Sequence, residues 1–363
     1  MTSKLLTGSL FAALLLWLGY YLSQPQDPLI PASHHHIQYT GRIDFSTPDA
    51  PVFSWPGTMI QTGFTGRSLA LVMDDHYGMN YFNVFLDQDW ENPIVIKGEK
   101  GRKTYLIADN LTDGEHLLTL TKRTEGEEGA TTFYGILLAE DGELTAPPPR
   151  PERRIEFFGD SITSGMGNEA PEDGPDDNKA EKNNFLAYGA ITARNLNAEY
   201  VSTSQSGVGL MASFVNFTMQ EFYDQLSAIN NNDSVWDFSR WTPHVVVINL
   251  FQNDSALVEQ RLNPVPTDEQ RVAVYYDFIK RIRSHYPEAF IVCTLGTMDA
   301  AKPGSPWPDY IHAAVEQWKT ETADERIDVM IFEFKDFYKH PRVHHHQENA
   351  EVLTAFIKEK MDW

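Results

Sequence analysis

The chain has 363 residues, of which 42% are hydrophobic and 12% aromatic, and it carries a formal net charge of −22 at pH 7. This length is enough for two domains, and this composition is that of a packed globular protein rather than a disordered one. The negative charge argues against nucleic acid and anionic membrane surfaces as partners, because phosphate groups would be repelled, whereas a neutral polysaccharide would not be.

The first residues have the pattern of an export segment. Lys4 precedes an uninterrupted apolar run over residues 5–22. This run is either a cleaved signal peptide or an uncleaved anchor, since about eighteen apolar residues can just span a bilayer. We therefore predict an exported protein, periplasmic or extracellular, which is tethered to the membrane if residues 5–22 are retained. Residues 23–37 are polar and contain proline, which predicts a linker.

Residues 38–145 show short alternating runs of β type, separated by turn residues. Leu69, Leu71 and Met73, for example, would share one face of a strand. No amphipathic helix pattern interrupts these runs, so the segment is predicted to form an all-β sandwich. The proline-rich run at 146–151 favours polyproline II and can join neither a helix nor a sheet interior, which indicates a stiff linker.

From residue 152 to residue 363, strand and helix patterns alternate. This order predicts a doubly wound α/β domain with a mostly parallel sheet. Strands are predicted at 155–158, 199–202, 245–250, 290–294 and 329–332, and helices at 184–196, 218–229, 268–285, 309–319 and 347–361. The acidic stretch at 169–182 lacks the ligand spacing of a calcium loop and is predicted to be a solvated insertion.

Ser161 is the candidate nucleophile. It follows a short apolar strand that stops at Gly159. Open α/β sheets hold their reacting groups at such strand ends, where the backbone N–H groups of the next helical turn can stabilise a negative oxygen. The alternative is a structural one, because an Asp-Ser pair in front of a helix is often only a helix cap.

Four short blocks follow one another in the order expected for a known family. Gly159-Asp-Ser161, Ser206-Gly207, Gln252-Asn-Asp254 and His340-Pro341 resemble the four signature blocks of the SGNH (GDSL-type) hydrolases. From Tyr39 onward, nearly the whole chain also resembles carbohydrate esterase family two. That second resemblance is carried by Tyr39-Thr-Gly-Arg-Ile-Asp-Phe45, Ser54-Trp-Pro-Gly57, the segment at 147–155, Ala187-Tyr-Gly-Ala-Ile-Thr-Ala-Arg194, Trp236-Asp-Phe-Ser-Arg-Trp241 and His340-Pro341.

The resemblance implies a jelly-roll domain in front of a flavodoxin-like SGNH domain, and a serine esterase that removes acetyl groups from polysaccharides such as xylan or glucomannan. It implies Ser161 as the nucleophile and His340 as the general base. The oxyanion hole would consist of the N–H groups of Ser161 and Gly207 and the side-chain amide of Asn253. Neither a metal nor an organic cofactor is implied.

Two departures from the family pattern concern this site. Phe251 stands where SGNH proteins usually have glycine, so Asn253 could be presented differently or the pocket narrowed. The acid expected two or three residues before His340 is absent, because Phe337 and Tyr338 occupy those positions. Asp336 lies one position too far away for a simple match. A Ser-His dyad with a backbone carbonyl at the imidazole is therefore preferred, with Asp336 as the alternative orienting acid.

Other candidates stay open. Trp307, between prolines, is either a sugar-stacking platform or a packed loop residue. The histidine runs at 34–36 and 344–346 are disfavoured as metal sites, because sequence neighbours point in different directions and no first shell is completed. The rival functions are an SGNH lipase or thioesterase for longer acyl chains, and a carbohydrate-binding protein with weakened catalysis.

Overall fold

A computed structural model describes residues 28–229 and 234–363 of the chain. The predicted export segment at 1–22 lies outside the described residues. Within the described ranges, no helix is both long enough and apolar enough to cross a bilayer.

The N-terminal domain is built from short antiparallel strands, as the alternating pattern predicts. They are β1 (Ile30–Pro31), β2 (Gln38–Thr40), β3 (Ile43–Asp44), β4 (Val52–Phe53), β5 (Met59–Thr65), β6 (Leu69–Asp75), β7 (Tyr81–Leu86), β8 (Ile94–Lys97), β9 (Arg102–Ala108), β10 (Glu115–Lys122), β11 (Thr131–Leu138) and β12 (Leu144–Thr145).

These strands form two six-stranded sheets that enclose one apolar core. One sheet has the order β3-β4-β11-β6-β9, with β1 on β11, and the other has the order β12-β5-β10-β7-β8, with β2 on β5. Leu69, Leu71 and Met73 all face the core, as their alternation predicts, and contact apolar side chains of the opposite sheet such as Phe82 and Leu118. The predicted β-sandwich is confirmed.

The predicted linker at 23–37 is wrong over its described part. Ile30 and Pro31 pair with Ile136 and Gly135 of β11, and Ala32 and Ile37 are buried in the sandwich core. Proline is compatible with this position because β1 has a single neighbour and therefore does not need every backbone N–H. The folded part therefore begins earlier than residue 38.

The C-terminal domain alternates strands and helices around a parallel sheet. Its strands are β13 (Arg153–Gly159), β14 (Ala198–Ser204), β15 (Val245–Asn249), β16 (Phe290–Thr294) and β17 (Ile327–Val329). Its α-helices are α1 (Ser161–Ser164), α2 (Tyr188–Asn195), α3 (Met219–Phe222), α4 (Gln252–Arg261), α5 (Asp268–His285), α6 (Trp307–Thr322) and α7 (Val343–Met361).

The five strands have the order β14-β13-β15-β16-β17 and are all parallel. The first four residues of β15 are all apolar because both faces of this strand are covered. Val246 and Ile248 belong to the core that contains α5 and α6, whereas Val245 and Val247 belong to the core that contains α2 and α7. The doubly wound fold is confirmed, and its order places β13, which leads to Ser161, between β14 and β15.

Several predicted elements have different bounds. The last strand is Ile327–Val329 rather than 329–332, the helix predicted at 218–229 is only Met219–Phe222, and α4 (Gln252–Arg261) was not predicted. Residues 146–151, predicted to be a linker, form neither helix nor strand.

A buried arginine connects the two domains. Arg42, between β2 and β3, extends under β13 and pairs with Glu156 at 2.9 Å, and both side chains are at most 1% exposed. The same guanidinium donates to the carbonyl oxygens of Tyr223 and Gln225. Glu156 also accepts from the Tyr286 hydroxyl. This contact places charged groups of both domains in one desolvated site.

Candidate active site

Ser161 lies at the C-terminal end of β13, in the turn that the sequence predicts. β13 ends at Gly159, and Asp160 caps α1 by accepting a hydrogen bond from the Ile162 N–H at 3.0 Å. α1 is only four residues long and ends at Gly165, whose φ of 83° is readily adopted only by glycine. Ser161 is therefore held as the first residue of a short helix, with its side chain at the edge of the sheet.

His340 contacts the serine directly. Its Nε2 lies 2.8 Å from Oγ of Ser161, although the two residues are 179 positions apart in the chain. His340 lies in the segment between β17 and α7. The Ser161 hydroxyl can donate to Nε2 if that nitrogen is unprotonated, which is the geometry that a general base requires.

Asp176 faces the other side of the imidazole. Its Oδ2 lies 3.0 Å from Nδ1 of His340 and also accepts from the His340 backbone N–H at 3.1 Å. Its Oδ1 accepts from the guanidinium of Arg342 at 2.7 Å. Burial alone would raise the pKa of Asp176, but the hydrogen bonds from His340 and Arg342 outweigh it and hold the pKa well below its usual range. An ionised Asp176 favours the Nδ1–H tautomer, which leaves Nε2 free to accept from Ser161.

This geometry corrects the prediction of a dyad and of Asp336 as the alternative acid. The Nδ1 position is occupied by Asp176, and Asp336 is exposed. Asp176 lies within the stretch at 169–182, which was predicted to be a solvated insertion. Sequence analysis missed both Asp176 and Arg342. No spacing rule could identify Asp176, because it acts on a residue 164 positions away.

Gly207 lies in a loop whose backbone is fixed on both sides. Its φ is 78°, and a Cβ at this position would lie 3.0 Å from Cβ of Phe214. The Gly207 carbonyl accepts from the Phe214 N–H at 2.7 Å. Asp254 accepts from the backbone N–H groups of Leu210, Met211 and Ala212, and its burial raises its pKa. Asp254 therefore fixes the backbone of the loop that follows Gly207.

Asn253 lies between the nucleophile turn and this loop. Its Nδ2 donates to the Val208 carbonyl at 2.8 Å and to Oδ2 of Asp160 at 3.3 Å. Burial raises the pKa of Asp160 to about 7, so this carboxyl carries less than a full negative charge near neutral pH. The contribution of Asn253 to an oxyanion hole, together with the N–H groups of Ser161 and Gly207, stays a prediction.

Phe251 and Trp307 pack together away from the surface. Phe251 has a φ of 97°, a left-handed conformation that explains why glycine is usual there, and its ring lies 5.0 Å from those of Tyr275 and Trp307. Trp307 is 6% exposed at the start of α6. Of the two roles left open for Trp307, the structure supports the packed residue and not the sugar platform, because neighbouring side chains cover its ring.

The histidine runs have no metal-site geometry. Among the residues that the structure describes, no group of three or more His, Cys, Asp or Glu side chains is arranged to hold a metal ion. His346 is instead a core residue of α7, and its Nδ1 accepts from the Tyr188 N–H at 3.1 Å.

His346 should make the fold sensitive to acid. Burial lowers its pKa from 6.5 to about 3, so between these values the unfolded chain binds a proton that the folded chain does not. Stability falls as the pH falls through this window, by up to about 1.4 kcal/mol per pH unit. His346→Gln keeps an acceptor for the Tyr188 N–H. In this pH window we expect it to lower the slope of the unfolding free energy against pH by about 1.4 kcal/mol per pH unit, the contribution of one proton. The exposed His344→Gln is the control, and an unchanged slope in His346→Gln would contradict the assignment.

Two family models match the chain, one in each domain. The model described as Carbohydrate esterase 2 N-terminal matches residues 39–148, and the GDSL-like Lipase/Acylhydrolase family matches residues 157–351. The second match covers Ser161, Asp176, Gly207, Asn253 and His340.

Similar proteins agree with these matches. A cellulase/esterase, CelE, from Acetivibrio thermocellus is 32% identical over 90% of this chain, which spans 40% of that relative's length. An acetylxylan esterase / glucomannan deacetylase from Cellvibrio japonicus is 27% identical over 97% of both chains. The solved structure of a family two carbohydrate esterase from Clostridium thermocellum with cellohexaose is 32% identical, with a TM-score of 0.81, over 90% of this chain and 99% of that one. The chain therefore belongs to the GDSL-like lipase/acylhydrolase family and, within it, to the family two carbohydrate esterases.

Proposed function

We propose that this protein is an exported serine esterase that removes acetyl groups from neutral polysaccharides such as acetylated xylan or glucomannan. The observation that carries the proposal is the hydrogen-bonded series Ser161–His340–Asp176 at the C-terminal end of strand β13. Family membership makes the protein a carboxylic ester hydrolase. The names of its relatives support acetylated plant polysaccharide as the substrate class.

The reaction follows from the positions of these groups. Oγ of Ser161 attacks the acetyl carbonyl carbon while Nε2 of His340 takes the hydroxyl proton. The imidazolium that forms is stabilised by Asp176, and its proton passes to the departing sugar oxygen. Water then attacks the acetyl-Ser161 ester with His340 again acting as the base, which releases acetate and restores the serine. The N–H groups of Ser161 and Gly207 and the side-chain amide of Asn253 are the proposed donors to the oxyanion.

The surface beside the site supports a neutral glycan. The net charge of −22 would repel a polyanion. Two large exposed aromatic side chains belong to segments that carry site residues: Phe214 is 59% exposed and its N–H donates to the Gly207 carbonyl, and Tyr338 is 96% exposed and lies two residues before His340. Aromatic rings at such positions are suited to the apolar faces of sugar rings. We propose Phe214 and Tyr338, in place of Trp307, as the substrate-contacting aromatics.

Export is the part of the proposal that rests on residues 1–22 alone. A basic residue followed by the apolar run at 5–22 supports translocation. Retention of the run would tether the protein to the membrane, and cleavage would release it. N-terminal sequencing of the exported chain distinguishes these two outcomes.

The test is acetate release from acetylated xylan and acetylated glucomannan by a chain that starts at residue 23, with Ser161→Ala as the blank. Release that depends on Ser161 supports the proposal, and the two rates rank the substrates. Aryl esters of increasing acyl length address the lipase or thioesterase alternative, which requires faster hydrolysis of long chains than of acetate. Sugar binding without acetate release would favour the carbohydrate-binding alternative. Asp176 disfavours that alternative, because it occupies the position of the acid that sequence spacing did not supply.

A further inference from the structure

The segment between β10 and β11, residues 123–130, carries charged side chains of the sandwich into the α/β domain. We call it the docking loop. A Cβ on its Gly126 would lie 2.0 Å from the carbonyl oxygen of Ala228, so the backbones of the two domains are in direct contact there. Glu125 and Glu128 are at most 1% exposed. Buried carboxylates that belong to one domain and point into another require partners there, and those partners lie next to the catalytic groups.

Glu125 contacts the loop that carries Gly207. Its Oε2 accepts from the backbone N–H of Ser206 at 2.5 Å. Ser206 directly precedes Gly207, whose carbonyl is held on the other side by the Phe214 N–H. The peptide group that contains the Gly207 N–H is therefore fixed between a carboxylate of the sandwich domain and the backbone of its own loop. The direction of this N–H, a proposed oxyanion donor, depends on both contacts.

The docking loop also holds the segment that carries Asp176. Arg123 pairs with Glu169 at one end of that segment and donates to the carbonyl oxygens of Ala180 and Lys182 at the other end. Lys182, at the end of the same segment, pairs with the docking loop in turn, because its Nζ lies 2.8 Å from oxygens of both Glu125 and Glu128. The two ends of the Asp176 segment are therefore fixed by the docking loop.

The charge on Glu125 is matched by Lys182. Burial alone would raise the pKa of Glu125, but the adjacent Lys182 ammonium outweighs it and lowers that pKa. Burial and the neighbouring Glu125 raise the pKa of Glu128. The Lys182 ammonium, which lies 2.8 Å from oxygens of both carboxylates, therefore offsets negative charge that Glu125 brings to the Ser206 N–H.

We propose that Glu125, supplied by the sandwich domain, is a positioning residue for ester hydrolysis at Ser161, because it aligns the Gly207 N–H and, through Lys182, the Asp176 segment. This inference rests on the proposed function only in that Ser161 hydrolyses esters, and it does not depend on which glycan is the substrate.

Glu125→Gln in the full chain is the test. A carboxylate offers an acceptor oxygen to each of its two donors, the Ser206 N–H and the Lys182 ammonium. Glutamine has one oxygen and one NH₂ group, so it must present a donor to one of them. We expect kcat for p-nitrophenyl acetate to fall about tenfold to a hundredfold, with KM within about twofold, because misaligned donors weaken the transition state more than substrate binding.

Glu127→Gln is the matched control. Glu127 lies in the same loop, and its carboxylate is 3.9 Å from the same Lys182 ammonium, but its side chain is 64% exposed. We expect this variant to keep the wild-type kcat. Rates are divided by the number of Ser161 sites that react with a fluorophosphonate, so that unfolded protein does not count. Affinity for a boronic acid, which forms a tetrahedral adduct at the serine, should fall in parallel with kcat in Glu125→Gln.

The outcomes separate this inference from the proposed function. A wild-type kcat per reactive site in Glu125→Gln, or a loss confined to the number of reactive sites, would overturn the positioning role and leave the esterase assignment intact. If Glu125→Gln does not accumulate, Glu125→Asp takes its place with the same expected loss, because the shorter side chain cannot reach both donors. A wild-type chain that hydrolyses neither aryl acetate nor acetylated glycan would overturn the proposed function and this inference with it.

Discussion

Asp176→Asn should lower kcat for acetyl ester hydrolysis by about a hundredfold to ten-thousandfold, as loss of the acid does in other serine hydrolases of this geometry. The asparagine oxygen should face Arg342, because a guanidinium can only donate hydrogen bonds. Its NH₂ group would then face Nδ1 of His340 and favour the tautomer that carries its proton on Nε2. That proton would point at Oγ of Ser161, so the imidazole could no longer accept the serine proton.

Asp336→Asn is the matched control, since it makes the same chemical change to the exposed carboxyl that lies four residues before His340. We expect its kcat to equal that of the wild type. Acetate release from acetylated xylan, measured from pH 5 to pH 9, compares the three chains. Loss of activity in Asp336→Asn with none in Asp176→Asn would restore the assignment made from sequence spacing, and no loss in either would support a dyad.

Arg42→Met should reduce the free energy of unfolding by about 3–5 kcal/mol, the range found when one partner of a buried ion pair is removed. The change leaves the Glu156 carboxylate without its cation in a site that is 1% exposed. It also removes the donors to the carbonyl oxygens of Tyr223 and Gln225. Urea denaturation followed by tryptophan fluorescence measures the loss.

The double variant Arg42→Met/Glu156→Gln tests the cause. Neutralising Glu156 removes the uncompensated charge, so the double variant should be more stable than Arg42→Met alone. Measuring the single variant Glu156→Gln as well completes the cycle that gives the coupling energy between the two side chains. Arg67→Met, which disturbs an exposed pair with Asp113, should leave stability at the wild-type value. Equal losses in Arg42→Met and Arg67→Met would show that the buried pair does not stabilise the fold.

Much of the architecture follows from local patterns, because strand alternation and the strand-helix order are properties of neighbouring residues. Leu69, Leu71 and Met73 faced one core as predicted, and the apolar run at 245–250 became the doubly covered strand β15. The nucleophile turn at Ser161 was predictable for the same reason. Errors arose where an element depends on residues that are distant in the chain. Ile30 and Pro31, for example, form a strand only because they pair with β11.

Site residues that lie in the family's signature blocks could be predicted from the sequence. Site residues that only the fold brings to the serine could not. Ser161 and His340 lie in such blocks, and the structure brings them within 2.8 Å of each other. Asp176 lies in an acidic loop with no periodicity, and its partner is 164 positions away. Trp307 was ambiguous because its position after β16 indicates an edge, whereas its burial depends on Phe251, a residue 56 positions earlier in the chain.

The residues that meet at the candidate site are synthesised far apart in time, because they are far apart in the chain. The sandwich leaves the ribosome first, with Arg42 and Glu125 still lacking the groups that they contact in the second domain. Ser161 and Asp176 follow, but the base does not arrive until His340 has been made. A nascent chain that has not reached His340 therefore has Ser161 without the base that it contacts in the folded protein. We expect ester hydrolysis only after His340 has joined Ser161 and Asp176.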